Sequence, residues 1–327
     1  MILDEKLSAG DVIVLDGATG TEIARVGGKL DSAAWCAVAN KTHPDTVRRV
    51  HESYLNAGAD VITTNTFATC RHVLDGAGLA DETVAINRRA VELAREAREN
   101  VATERPVAIA GSMSTTFAWA LDTFSPDPRY LPAAEQESAN YREMADTLAE
   151  AGCYLLMMEM MGAVNRARRA TEAAIATGLP VWLGLTCSQK ADGSILGCDL
   201  AKMPTSIPDD FRGPESPAFQ DVIDALIGLG VQVAGVMHSS VEDTTPGLEM
   251  LYQSWSGPVM AYPETALFDV HDKSAAATIS PAEFAEHCRG WVDNGVQIIG
   301  GCCGTTIEHI QAMVDQLPSR PGDRPAH

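Results

Sequence analysis

Gln297-Ile-Ile-Gly-Gly-Cys-Cys-Gly-Thr-Thr306 is a short apolar run that stops at two glycines, two adjacent cysteines, a third glycine and two threonines. It predicts a buried strand that ends abruptly and presents Cys302 and Cys303 at its tip. Glycine on both sides admits tight turns and a close approach to the sulfurs. A disulfide between neighbours is geometrically poor, because consecutive Cα atoms lie about 3.8 Å apart, against roughly 4.4–6.8 Å across a disulfide. Two thiolates on one soft metal, or two small buried hydrophobes, are the readings that the pair alone leaves open.

Seven similar runs precede this one, at 11–15, 60–64, 106–110, 154–158, 181–185, 231–234 and 258–261. Helical patterns separate them, at 44–57, 85–100, 135–152, 164–177, 219–229, 245–254 and 281–294, and an eighth follows at 306–317. Eight strand–helix pairs in 327 residues predict a closed (β/α)8 TIM-type barrel, a single domain over 1–327. An open doubly wound sheet is the alternative, but no Gly-x-Gly-x-x-Gly turn follows the first strand. Residues just after barrel strands converge on one face. Asp16, Thr66, Glu159, His238 and Cys302 occupy such positions, so they are expected around one mouth.

Composition narrows the function. A chain that is 46% hydrophobic can bury a large core. The net charge of −20, from 24 Lys and Arg against 44 Asp and Glu, argues against nucleic acid and mildly favours cationic ligands. The first residues, Met1-Ile-Leu-Asp-Glu-Lys6, lack a basic region followed by an apolar run, and no stretch approaches the roughly 18 apolar residues of a membrane span. A soluble, cytoplasmic protein with no membrane partner is expected. Eight cysteines suit a reducing compartment better than a disulfide scaffold. Homo-oligomerisation is compatible with the sequence but is not read from it.

Four motifs together resemble the homocysteine S-methyltransferase family, which includes betaine–homocysteine and S-methylmethionine–homocysteine methyltransferases. They are Asp16-Gly-Ala-Thr-Gly-Thr21; Trp35 with His43-Pro44 and Val50-His51; Ala57-Gly-Ala-Asp-Val-Ile-Thr-Thr-Asn-Thr-Phe67; and Gly300-Gly-Cys-Cys-Gly-Thr305. The resemblance runs from about residue 11 to 317. It implies a barrel that holds one Zn2+, with the thiol of homocysteine bound to the metal and methylated by a small-molecule sulfonium or ammonium donor.

Carried over residue by residue, the resemblance makes Cys302 and Cys303 two zinc ligands. The third ligand in the family is a cysteine in Gly-x-Asn-Cys, which appears here as Gly235-Val-Met-His238. A neutral imidazole is a normal zinc partner for two thiolates, so His238 is expected to complete the set and share the catalytic role. Cys187 is the one other cysteine considered as a stand-in. Asp16, Gly17 and Glu159 match positions that hold the amino-acid end of homocysteine, and a carboxylate suits an ammonium. Thr66 is expected at the substrate carboxylate or on backbone. Trp35 matches an aromatic residue near the methyl-bearing cation, where an indole face attracts an onium group; Phe117 and Trp119 are candidates to extend that wall. The family's Tyr-Pro-Asn appears as Tyr262-Pro-Glu264, with Tyr262 placed among the substrate contacts. A long segment at about 188–218, with Pro204, Pro208, Pro214 and Pro217, is expected to form a lid-like insertion.

Two other classes compete with this reading. Zinc on one His and two Cys activates water in nucleobase deaminases, but those carry His-x-Glu and Pro-Cys-x-x-Cys. Ser240 stands where that Glu would be, and neither signature is present. A non-catalytic zinc-binding or ligand-binding protein is the other alternative.

Overall fold

The computed structural model describes residues 2–101, 105–197, 216–269 and 271–325. Eight parallel strands form its central sheet: β1 (Ile13–Val14), β2 (Val61–Thr63), β3 (Ala108–Ser114), β4 (Leu155–Met161), β5 (Val181–Leu185), β6 (Val233–Ser240), β7 (Val259–Glu264) and β8 (Ile298–Ile299). Each strand pairs with its sequence neighbour, and β8 pairs back onto β1. The last seam closes between β1 and β2, where Leu15 bridges Val61, Asp16 N donates to Val61 O at 3.1 Å and Asp60 N donates to Val14 O at 2.8 Å. The sheet is therefore a closed barrel rather than an open doubly wound sheet.

Alternate residues on each strand explain the long apolar runs. One set points into the barrel and includes Ile13, Leu15, Val61, Leu155, Met157, Trp182, Met260 and Ile298. The other set, among them Val14, Ile62, Leu156, Leu183, Val236 and Ile299, packs outward against the helices. Both faces are buried, so neither shows the polar alternation of a solvated sheet. The covering helices are Pro44–Asn56, Thr83–Val101, Ala134–Ala151, Val164–Ile175, Phe219–Leu226, Val241–Tyr252, Pro281–Asp293 and Ile307–Gln316. Pro281 occupies the first turn of its helix, behind a Ser280–Glu283 capping box that satisfies two backbone N–H groups. No described helix is long and apolar enough to cross a membrane.

Two features exceed the sequence expectation. The helix Ile2–Ala9 closes the barrel floor: Leu3 packs into the interior cluster, and Gln297 Nε2 donates to the carbonyls of Lys6, Leu7 and Asp11 at 3.3, 3.1 and 3.1 Å. At the opposite end, β3, β4, β6 and β7 run further than their apolar stretches. The register of β4 shifts between Met158 and Met161, and that of β6 between Met237 and Ser240. Met160 and His238 take φ values of 57° and 48° there. Glu159 and His238 therefore sit within irregular strand ends, not in the loops after them. Of the expected lid-like insertion, residues 198–215 lie outside the described residues. Its described start is a small hairpin of Ser188–Gln189 and Ile195–Leu196.

Trp182 is the largest fully buried side chain among the described residues, at the heart of the barrel interior. Trp182→Ala should lower unfolding free energy by about 3–5 kcal/mol through lost burial and a residual cavity. Urea denaturation monitored by circular dichroism checks this as a lower midpoint.

Candidate active site and metal centre

The abrupt end of β8 places the cysteine pair at the barrel mouth. Gly304 takes φ 81°, a left-handed conformation that a side chain resists, and a Cβ there would stand 2.8 Å from the Thr265 carbonyl carbon. The turn is fastened to β7 on both sides of Glu264: Cys302 N donates to Pro263 O at 2.8 Å, and Thr265 N donates to Cys303 O at 2.9 Å. The irregular end of β6 brings in the imidazole. Cys302 Sγ lies 3.8 Å from Cys303 Sγ and 3.5 Å from His238 Nδ1, and the three donor atoms all fall within 4.8 Å of one another. Around a tetrahedral ion with bonds of about 2.3 Å to sulfur and about 2.05 Å to nitrogen, the S···S and S···N edges are about 3.8 and 3.6 Å. The donor set and its spacing fit such a metal. Both thiols are pushed above the ordinary range. Cys302 is raised by donating to Cys303 and by burial; at Cys303 burial and the nearby Glu264 outweigh the bond from Cys302, which acts in the opposite direction.

Two carboxyls line the same cavity as His238, Cys302 and Cys303. Asp16, where β1 ends, accepts from Thr63 N at 2.7 Å and from Thr63 Oγ1 at 2.9 Å. Burial nevertheless pushes its pKa up to about 8, because these two bonds offset only part of the lost hydration. Glu159 accepts from Ser112 Oγ and is likewise pushed up by burial, to about 7, with Ser112, His238 and Tyr262 pulling the other way. Both groups therefore change charge near neutrality.

Aromatic rings form the remaining wall. Trp35 meets Phe67 edge-to-face at 5.9 Å and Trp119 at 6.3 Å; Phe124 continues the series to Trp119 at 5.1 Å and to Phe268 at 5.5 Å. Gly20 leaves room for the first ring, since a Cβ there would lie 2.6 Å from the Trp35 indole. The rings are tied together by Lys273, from the turn of the hairpin Ala266–Phe268 and Ala275–Ala277. Its ammonium stands 4.4 Å from the Phe124 centroid and 5.5 Å from that of Trp119, and donates to Thr123 O. Its own carbonyl accepts from Trp35 Nε1 at 3.2 Å. Metal group, carboxyls and rings line one cavity of about 1230 Å³, counting its open mouth.

The homocysteine S-methyltransferase family profile matches residues 13–317. The chain belongs to that family. It is a methyltransferase, built on the family's barrel. Among its relatives, the homocysteine S-methyltransferase of Escherichia coli is 27% identical, covering 94% of this chain and 96% of that protein. The selenocysteine methyltransferase of Astragalus bisulcatus is 26% identical over 98% and 96%, and betaine–homocysteine S-methyltransferase 1 of Danio rerio 27% over 98% and 76%. The oxidized form of the homocysteine methyltransferase MmuM from Escherichia coli superposes with a TM-score of 0.74 at 25% identity, covering 96% of this chain and 99% of that chain. Its metallated form gives 0.71 at 24%, with the same coverage.

Within this member of the family, Asp16, Gly17, Trp35, Glu159, Tyr262, His238, Cys302 and Cys303 all line the cavity, as do Phe117 and Trp119. Of the two places expected for Thr66, substrate or backbone, the structure shows the backbone. Its buried hydroxyl donates to Ser112 O at 2.7 Å and meets Thr64 Oγ1, so it holds β2 to β3 and does not reach the cavity. Cys187 is also set aside as a ligand: it is buried beside Ser239 and the Asp243 carbonyl, away from the metal group. Thr63, Asn65, Ser112, Met160, Phe124 and Phe268 line the cavity without having been singled out. Thr63 precedes the quoted Thr-Asn-Thr motif and Asn65 is its centre, which is the signal that could have found them; Phe124 and Phe268 lie outside any periodic pattern.

A ligand that presents an ammonium to Asp16 and Glu159 favours their ionised forms. Affinity for methionine, which carries the ammonium and no thiol, should therefore rise as pH increases from about 6 to about 9, through the values of both carboxyls. Binding at pH 7 should release protons. Calorimetric titrations in buffers of different ionisation enthalpy measure both quantities; a flat affinity would mean that neither carboxyl meets the ammonium.

Proposed function

We propose that the chain is a zinc-dependent S-methyltransferase that moves a methyl group from a sulfonium or quaternary ammonium donor to a thiol such as homocysteine, in a single displacement. The observation that carries this reading is one cavity that combines a metal group of two sulfurs and one nitrogen, two buried carboxyls and a wall of aromatic rings. The names of the relatives supply the acceptor class. The nucleobase deaminases that activate water on one His and two Cys carry His-x-Glu, and the residues after His238 are serines.

Zinc bound by His238, Cys302 and Cys303 would supply a Lewis acid that lowers the pKa of an incoming thiol into the neutral range. The rest of the work belongs to the chain. Asp16 and Glu159 anchor the acceptor ammonium and so fix where its sulfur lies. Lys273 already occupies Trp119 and Phe124, which leaves Trp35 and Phe67 to attract the donor cation, a contact worth up to about 2 kcal/mol when desolvated. The thiolate sulfur attacks the methyl carbon as the C–S or C–N bond of the donor breaks. The electron pair goes to the departing atom, and the leaving group departs neutral. Buried walls keep water from that line of three atoms. The same reading places the protein in the cytoplasm, where reducing conditions keep Cys302 and Cys303 as thiols.

A donor carrying a chiral methyl group should yield product with the methyl carbon inverted; net retention would mean that a methylated enzyme or a cofactor intervenes. Purified protein should contain about one zinc per chain, and Cys302→Ala should lose it, because two remaining ligands do not close a tetrahedral shell. Metal analysis of both proteins by mass spectrometry checks this, and full occupancy in the variant would remove Cys302 from the ligand set.

A further inference from the structure

The segment that follows β1 is hydrogen-bonded to the cysteine turn along its length. Asp16 O accepts from Gly301 N at 3.2 Å, and Ala18 N donates to Thr305 Oγ1 at 3.2 Å. In the helix Thr19–Arg25, Thr21 Oγ1 accepts from Gly304 N at 3.1 Å, and Glu22 Oε1 accepts at 3.1 Å from the N–H of Ile307, where the last helix begins. Glu22 is buried, and Arg25 Nε reaches both of its oxygens, at 3.0 and 2.9 Å. Thr305 fills the space between the two segments. Its hydroxyl donates to Cys302 O at 2.7 Å, and a Cβ on Gly17 or Gly301 would stand 3.0 or 2.5 Å from it. Three of the four bonds between the segments use side chains and lie past the β1–β8 ladder, whose register ends at Val14 and Ile299. Thr21 is buried and does not line the cavity, yet it grips the residue next to Cys303.

We infer that Thr21 is a positioning residue that sets the length of the thiol acceptor, by locking the cysteine turn to the segment that carries Asp16. This rests on the reading that Asp16 and Glu159 anchor the acceptor ammonium while zinc on His238, Cys302 and Cys303 takes its sulfur. The acceptor then spans from anchor to metal, and its carbon chain has to match a distance that the protein fixes. Strand β8 fixes only the start of the turn. Beyond it the chain changes direction at Gly304, in its left-handed conformation, and Thr21 holds the N–H of that residue. Without this bond, Cys302 and Cys303 are free to shift relative to Asp16 while every ligand stays present. A displacement on the order of 1 Å is enough to change which chain length fits.

Homocysteine and cysteine differ by one methylene, and their affinities for the Co(II)-loaded protein are read from the sulfur-to-cobalt charge-transfer intensity that each adds. The parent should prefer homocysteine, within the roughly 10–200-fold range that one methylene supplies. Thr21→Val, which keeps the side-chain shape and removes the acceptor of Gly304 N, should reduce that ratio roughly tenfold, and Thr21→Ser should restore it. A contact that only stabilised the fold would lower the urea midpoint of Thr21→Val and leave the ratio at its parent value. An unchanged ratio therefore overturns the inference while leaving the anchor and the metal group intact, and so does a parent that binds both thiols equally. A loaded parent to which neither thiol adds intensity overturns the underlying reading and the inference together. If Thr21→Val does not fold, Thr305→Val, which removes the acceptor of Ala18 N, decides by the same ratio.

Discussion

Burial of ionisable groups at the barrel mouth is the constraint on which the rest of the site depends. Asp16, Glu159, Cys302 and Cys303 all lie where water is excluded, and each is held toward its neutral form. An isolated buried charge is costly. Lys273, at the rim, is engaged with Thr123 and the aromatic rings rather than with these groups. On the proposed function, the compensating positive charge comes from outside the chain, as a metal ion on the sulfurs, an ammonium on the carboxyls and an onium on the rings. Each arrival improves the electrostatics of groups already in place.

The backbone shows a second sign of construction for function. Five non-glycine residues among those described have positive φ: Trp35, Asp122, Met160, His238 and Lys273. Trp35, Met160 and His238 line the cavity. Asp122 and Lys273 belong to the loops tied across its rim, where His271 Nδ1 also lies 3.5 Å from Asp122 Oδ1. Such conformations cost on the order of 1–3 kcal/mol each, and persist where the surroundings over-determine them. Here the surroundings are the parallel ladder below and the aromatic contacts above.

Much of this was legible in the sequence, for physical reasons. Both faces of a parallel strand are buried, so each strand is a compact apolar run, and the first polar or sulfur residue after it marks the mouth. Asp16, Glu159, His238 and Cys302 were found this way. Glu159 and His238 fall inside extended strand ends because a bulge continues the ladder past the apolar run, which periodicity does not encode. Thr66 stayed open between substrate and backbone because hydroxyls bond either as readily, and the approach of Ser112 O favours the backbone. The aromatic contributions of Phe124 and Phe268, and the cation of Lys273, come from the rim, where local sequence carries no clear period. Glu264 was visible as a departure in Tyr-Pro-Glu, but its contact with His238 arises only from the fold.

The floor of the barrel has a consequence for how the protein comes into being. Gln297 is held by carbonyls of residues 6, 7 and 11, and β8 is the strand that pairs with β1. The ring of strands therefore closes only when residues 297–299 have left the ribosome. At roughly 5–20 residues per second, β1 through β7 wait several seconds as an arc with two unpaired edges. The cysteine pair arrives with the strand that ends this wait, so the sulfurs reach their histidine in the same step that shuts the barrel. A chain cut short of residue 297 would lose both together, and its exposed strand edges would invite aggregation.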